Sequence, residues 1–118
     1  MKIYLILIIF ISSIYSQEND DNLFITNFEY GQMLYTNPRG IGCIKCHGKK
    51  GEGMFITRYT HKKKTYDITA PAINNISLEK FTKVLKAKSS TSSIMPSYFL
   101  TNDEMKQIHL YVSNSENY

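Results

Sequence analysis

Both cysteines of this 118-residue chain fall inside five positions, Cys43-Ile44-Lys45-Cys46-His47, with a histidine directly after the second thiol. No other feature restricts the fold as much. Two thiols at this spacing serve three chemistries: a redox dithiol, half of a metal site, or a covalent attachment point for haem. Each requires different surroundings along the chain.

A thioredoxin-like dithiol sits between a strand and a helix of an α/β fold. Here an amphipathic segment precedes the motif, and the glycine-rich run GKKGEG follows it, with no second βαβ pattern downstream. A structural zinc site needs four ligands, and there is no further cysteine. His61 and His109 are the remaining imidazoles, at spacings that match no common zinc pattern. Haem attachment is the reading that survives. Cys43 and Cys46 lie about one helical turn apart, so both sulfurs reach one porphyrin edge and form thioethers with its vinyl groups. His47 then lies beneath the iron and binds it through a ring nitrogen. One motif means one haem c per chain.

The start of the chain fits this chemistry. Met1 and Lys2 give a short positive region, IYLILIIFI runs apolar, and SSIYS follows with small residues. That is the layout of a secretory signal peptide over residues 1–16, cut after Ser16, although Ile14 is larger than the usual residue at its place. The apolar core is about ten residues, short of the ~20 that span a bilayer as a helix. Retention as a membrane anchor is the alternative. Covalent haem attachment takes place outside the bacterial cytoplasm, so the expected location is the periplasm. The mature region, 17–118, is one small domain, and a domain of this size gains from a cofactor at its centre. It carries 13 Lys plus Arg against 10 Asp plus Glu. That balance suits an acidic partner surface but is too weak and scattered for nucleic acid.

Three helices are expected along the domain. TNFEYGQMLYTNP reads as the first: Thr26 and Glu29 have capping-box spacing, Phe28, Gly31, Leu34 and Tyr35 share a face, and Pro38 stops it. SLEKFTKVLKAK reads as the second, with Ser77 as cap and Leu78, Phe81, Val84 and Leu85 as its apolar face. TNDEMKQIHLYVSN reads as the last, with Thr101 and Glu104 repeating the box and Met105, Ile108, Tyr111 and Val112 facing inward. Residues 54–68 carry β-branched and aromatic residues on both sides of a lysine run. They read as a two-stranded hairpin with Lys62, Lys63 and Lys64 near its tip. SSTSS is a Ser/Thr loop, and Pro96 keeps IMPSYFL out of helix.

The chain resembles the class I, monohaem cytochromes c over nearly all of the mature region. FEYGQMLY looks like that family's N-terminal helix, where a small residue such as Gly31 lets the C-terminal helix cross closely. CIKCHG is the attachment motif, and IMPSYFLTNDEMKQIHLYV looks like the distal-ligand loop leading into the final helix. The hairpin insertion departs from the smallest members. The resemblance implies an all-α cytochrome c fold, three main helices wrapped around one covalent haem, with the small hairpin added. It also implies that a proline carbonyl near the haem accepts a hydrogen bond from the proximal histidine. Pro71 in APAI is the candidate, and a plain rigid turn is the other reading of it.

The second axial ligand has six candidates. Met33 and Met105 fall inside expected helices, where methionine serves as core packing. His109 is also helical and is expected to be exposed. Met54 follows His47 too closely to reach the opposite haem face. His61, beside the lysine run, would give His/His ligation. Met95 stands outside any helix, beside Pro96 and 48 residues after His47. Met95 is therefore the expected distal ligand, and a thioether there raises the reduction potential over a second imidazole. Both axial positions filled leave no open site for a substrate. The expected function is one-electron transfer, not enzymatic catalysis. Lys45, Lys49, Lys50, Lys62, Lys63 and Lys64 are expected to ring the exposed haem edge and steer an acidic redox partner, a plain solvated surface being the other reading. The alternatives are a haem c subunit or sensor attached to a larger oxidoreductase, or a His/His-ligated haem. A membrane enters only through a partner complex or an uncleaved leader.

Overall fold

The computed structural model describes residues 24–87 and 94–117. The leader over 1–16, the domain start at 17 and the SSTSS loop lie outside the described residues. Helix α1 (Asn27–Thr36) and helix α4 (Asn102–Asn114) cross each other and form the centre of the fold. Both open with the expected capping box. The Thr26 amide donates to Glu29 Oε2 at 2.8 Å, and the Glu29 amide donates to Thr26 Oγ1 at 3.2 Å. Thr101 and Glu104 repeat both bonds at the same two distances. Each box satisfies two amides that the first helical turn leaves without partners.

The crossing is possible because residue 31 is glycine. A Cβ there would stand 1.9 Å from the Gln107 carbonyl oxygen, so the backbones of α1 and α4 touch. Around this contact Leu34, Tyr35, Ile108, Tyr111 and Val112 form the buried core with Phe81. Phe28 meets Tyr111 edge-on with ring centroids 5.3 Å apart, and Tyr35 tilts against the same ring at 5.4 Å. Aromatic pairs favour such offset and edge geometries over flat sandwiches.

A one-turn helix α2 (Ile44–His47) carries the cysteine motif. Helix α3 (Leu78–Lys86) is capped by Ser77, whose side chain accepts from the Lys80 amide. A short 3₁₀ turn at Ser115–Asn117 extends α4 past its expected end. Among the described residues no helix is long and apolar enough to cross a membrane. The hairpin is present as strands β1 (Met54–His61) and β2 (Lys64–Ala70), antiparallel and two residues longer than expected. Lys62 and Lys63 form its turn with φ of +48° and +64°, the left-handed pair that a tight two-residue turn requires. The register shifts between Phe55 and Thr57, which leaves Ile56 as an extra residue in β1.

Three expectations about burial need correction. Met33 was expected to pack in the core, yet it is 57 % exposed on the outer side of α1. Leu78 is exposed at the start of α3 rather than buried with Phe81. His109 is half-buried, and its Nε2 lies 2.8 Å from the Ile76 carbonyl, tying α4 to the loop before α3. Helical spacing identifies a face but not the neighbour that face meets.

Candidate functional site

Helix α2 follows from a local hydrogen-bond pattern. Cys43 already has helical backbone angles, and the His47 amide donates to the Cys43 carbonyl at 2.9 Å. The two cysteines therefore sit one turn apart. Gly48, at φ +83°, ends the turn in a conformation that side chains oppose. His47 is only 8 % exposed. Its Nδ1 lies 2.8 Å from the Pro71 carbonyl oxygen. A carbonyl only accepts, so Nδ1 carries a proton, and in the neutral ring Nε2 is the nitrogen with the free lone pair. Nε2 has no hydrogen-bond partner among the described residues.

The segment after His47 is held by three hydroxyls in a row. Tyr35 donates to the Gly48 carbonyl at 2.6 Å, Tyr111 to the Lys49 carbonyl at 3.1 Å, and Ser115 to the Lys50 carbonyl at 3.0 Å. Tyr35 is wholly buried, and burial raises its hydroxyl's pKa, so it stays a neutral donor. The Gly51 carbonyl next accepts from the amides of Ile73 (2.7 Å) and Asn74 (3.2 Å). The core thus fixes the loop 48–51, and that loop fixes the chain beside Pro71.

Cys43, Cys46, His47, Pro71 and Met95 all line one cavity of about 350 Å³. Its walls are Ile56 and Ile68 of the hairpin and Phe81, Val84 and Leu85 of α3. This explains Val84, which is half exposed although it lies on the apolar face of its helix: it faces the cavity, not the core. The volume falls within the range of small-molecule and cofactor sites. Of the six axial candidates, Met95 lines the cavity, and Met33, Met54, Met105, His61 and His109 do not. His61 stands at the far end of β1.

The competing chemistries find little support here. Burial pushes the Cys43 thiol up to about 11, whereas a reactive dithiol has a depressed value and an electropositive setting. Among the described residues no three His, Cys, Asp or Glu side chains converge as a metal cluster would require. Two sulfurs, one lone-pair imidazole nitrogen and one thioether around an apolar cavity do fit a covalently held haem.

The family model for cytochrome c matches residues 28–116. The chain belongs to the cytochrome c family. Haem binding and electron transfer come with that membership. No curated protein and no solved structure matched the chain. In this cytochrome several site-related residues escaped the sequence reading. Lys80 is exposed yet lines the cavity, so it stands at the rim. Lys49 and Lys50, expected with the other lysines to steer an acidic partner, line a separate depression with Thr26, Phe28 and Ser115. Tyr98 lines the cavity and donates to the Ile41 carbonyl at 2.7 Å. Burial, with the nearby Cys43 and Cys46, raises its hydroxyl to about 12. Arg39 forks onto Glu104, with Nη1 to Oε1 at 2.9 Å and Nη2 to Oε2 at 2.8 Å. Nothing in the local sequence points to a partner 65 positions away.

Proposed function

We propose that this chain is a periplasmic one-electron carrier with a single haem c, held by thioethers from Cys43 and Cys46 and ligated by His47 and Met95. The haem, when bound, supplies the one-electron couple of its iron. The chain's own residues do the rest. Cys43 and Cys46 anchor one edge. The Pro71 carbonyl orients the His47 ring and makes it the better donor, as such outer partners do at metal sites. Met95 would supply the second iron ligand, and a thioether there would raise the reduction potential over a second imidazole. The apolar walls keep water from the haem, which lowers the reorganisation that accompanies its charge change and closes the site to competing reactions. The observation that carries this reading is the shared cavity: all five residues line it, with His47 Nδ1 2.8 Å from the Pro71 oxygen.

Residues 1–16 act as the export leader in this reading. Lys45 and the hairpin lysines Lys62, Lys63 and Lys64 are exposed, and with Lys80 at the rim they attract an acidic redox partner. Electron exchange with such a partner slows as salt rises, and a salt-independent rate would rule out the steering.

Intact mass and visible spectra of the exported protein test the whole proposal. The expected results are the mass of one haem added to the chain after loss of 16 residues, and a weak red absorption of the ferric form from methionine sulfur on iron. Met95→Ala loses that absorption and lets the reduced protein bind carbon monoxide promptly. A colourless protein of unmodified mass, or a wild type that already binds carbon monoxide promptly, defeats the reading.

A further inference from the structure

Met95 sits on a strap, residues 94–100, that has no regular secondary structure. Backbone hydrogen bonds of a helix or sheet do not hold it. Two side chains instead tie it to residues 39–41, the segment that leads into Cys43. Arg39 Nη2 donates to the Phe99 carbonyl at 2.8 Å. Tyr98 donates to the Ile41 carbonyl at 2.7 Å, and its ring lies 3.5 Å from where a Cβ on Gly40 would stand. One arginine therefore holds both the strap and the first turn of α4.

The Arg39 contacts are geometrically demanding. Its guanidinium forks onto Glu104 while reaching Phe99, and Glu104 is itself fixed by the Thr101 amide at 2.8 Å and Tyr30 at 3.4 Å. Only a planar, five-donor group supplies that set of bonds. Arg39 also adopts φ +61°, an unfavourable conformation for a residue with a side chain, held in place by its surroundings.

We propose that Arg39 and Tyr98 form a clasp that positions the Met95 strap and sets how firmly methionine stays on the iron. This rests on the His47/Met95 ligation proposed above. The residues do not touch the iron; they hold the loop that does. Opening the clasp frees the sixth position to an added ligand without unfolding the His47 side, which has separate anchors.

Stopped-flow binding of imidazole to the ferric protein reads this opening. Arg39→Gln and Tyr98→Phe are each expected to raise the binding rate about tenfold or more, the size of effect expected when a hydrogen bond of this kind is lost from the closed form. Arg39→Lys keeps the charge but not the fork, and its rate stays close to that of Arg39→Gln. Ser115→Ala, which weakens the fold away from the strap, and Arg58→Gln in the hairpin leave the rate unchanged. Tyr98→Phe removes one oxygen, so it remains informative if Arg39→Gln fails to fold. Wild-type rates in the clasp variants overturn the clasp while a normal red absorption leaves the ligation standing. A wild-type protein without the red absorption overturns the ligation, and the clasp with it.

Discussion

The two sides of the cavity are built differently. On the His47 side, the chain after the ligand is bonded at three successive carbonyls by Tyr35, Tyr111 and Ser115, all buried and all set in or beside the crossing helices. On the Met95 side, the strap leans on Arg39, whose side chain is 54 % exposed, and on a partly buried tyrosine. One side is part of the core. The other is fastened to it from the solvent. A perturbation of the core should therefore lower stability while leaving the methionine in place, and a perturbation of the fastening should act first on the methionine strap.

The largest effect expected is from Gly31→Val. Its first added carbon would overlap the Gln107 carbonyl, so α1 and α4 must separate. A loss of about 3 kcal/mol or more, or no folded protein, is expected from such overpacking, measured by urea unfolding. Full stability would show that the crossing is not what anchors the His47 side.

Tyr35→Phe comes next. It leaves the Gly48 carbonyl buried without its donor, at a cost of about 1–3 kcal/mol in urea unfolding. Its red absorption should persist, because the strap is untouched. Loss of that absorption would erase the distinction between the two sides.

Acid probes the fastening more gently. Arg39, and then the Thr101 amide, hold the Glu104 carboxyl at about 2, below its ordinary 4.5. A depressed folded value means the contribution is complete above 4.5 and is lost as pH falls toward about 2. Wild-type unfolding midpoints should fall across that window, and Glu104→Gln should show a shallower fall. Equal slopes would mean that the ion pair contributes nothing. The smallest effect is expected in the hairpin. Arg58 and Asp67 form an exposed pair across the strands, and Arg58→Ala should leave the urea-unfolding midpoint essentially unchanged, because water screens such a pair.

The sequence revealed what is local. Thr26/Glu29 and Thr101/Glu104 announce themselves by spacing alone, because a capping box closes within one turn. Gly31 as the crossing residue followed from family resemblance, and the structure gives its reason, since a Cβ there would meet the Gln107 carbonyl. The Pro71 partnership followed only from family resemblance, since the proline and His47 are 24 positions apart. The hairpin and its lysine tip were legible from the β-branched and aromatic residues on either side, although Lys62-Lys63 lacks the Asn-Gly chemistry that such turns favour; the extra residue at Ile56 was not. Arg39 with Glu104, and Tyr35 with Gly48, were not legible at all. Both join distant parts of the chain through side-chain reach, which no periodicity encodes. Val84 shows a further limit: its apolar character was clear, but a cavity and a core ask for the same residue types.

The hairpin has one more consequence. Met54 and Ala70 are ladder partners, so the ribbon departs and returns at adjacent points, about 5 Å apart. Its length is thereby decoupled from the arrangement of helices beneath. Pairs of residues can be added or removed at the far end while Gly53 and Pro71 keep their places. A lineage carrying this fold can retune its reach toward other molecules by insertion and deletion alone, leaving the electronic centre as it was.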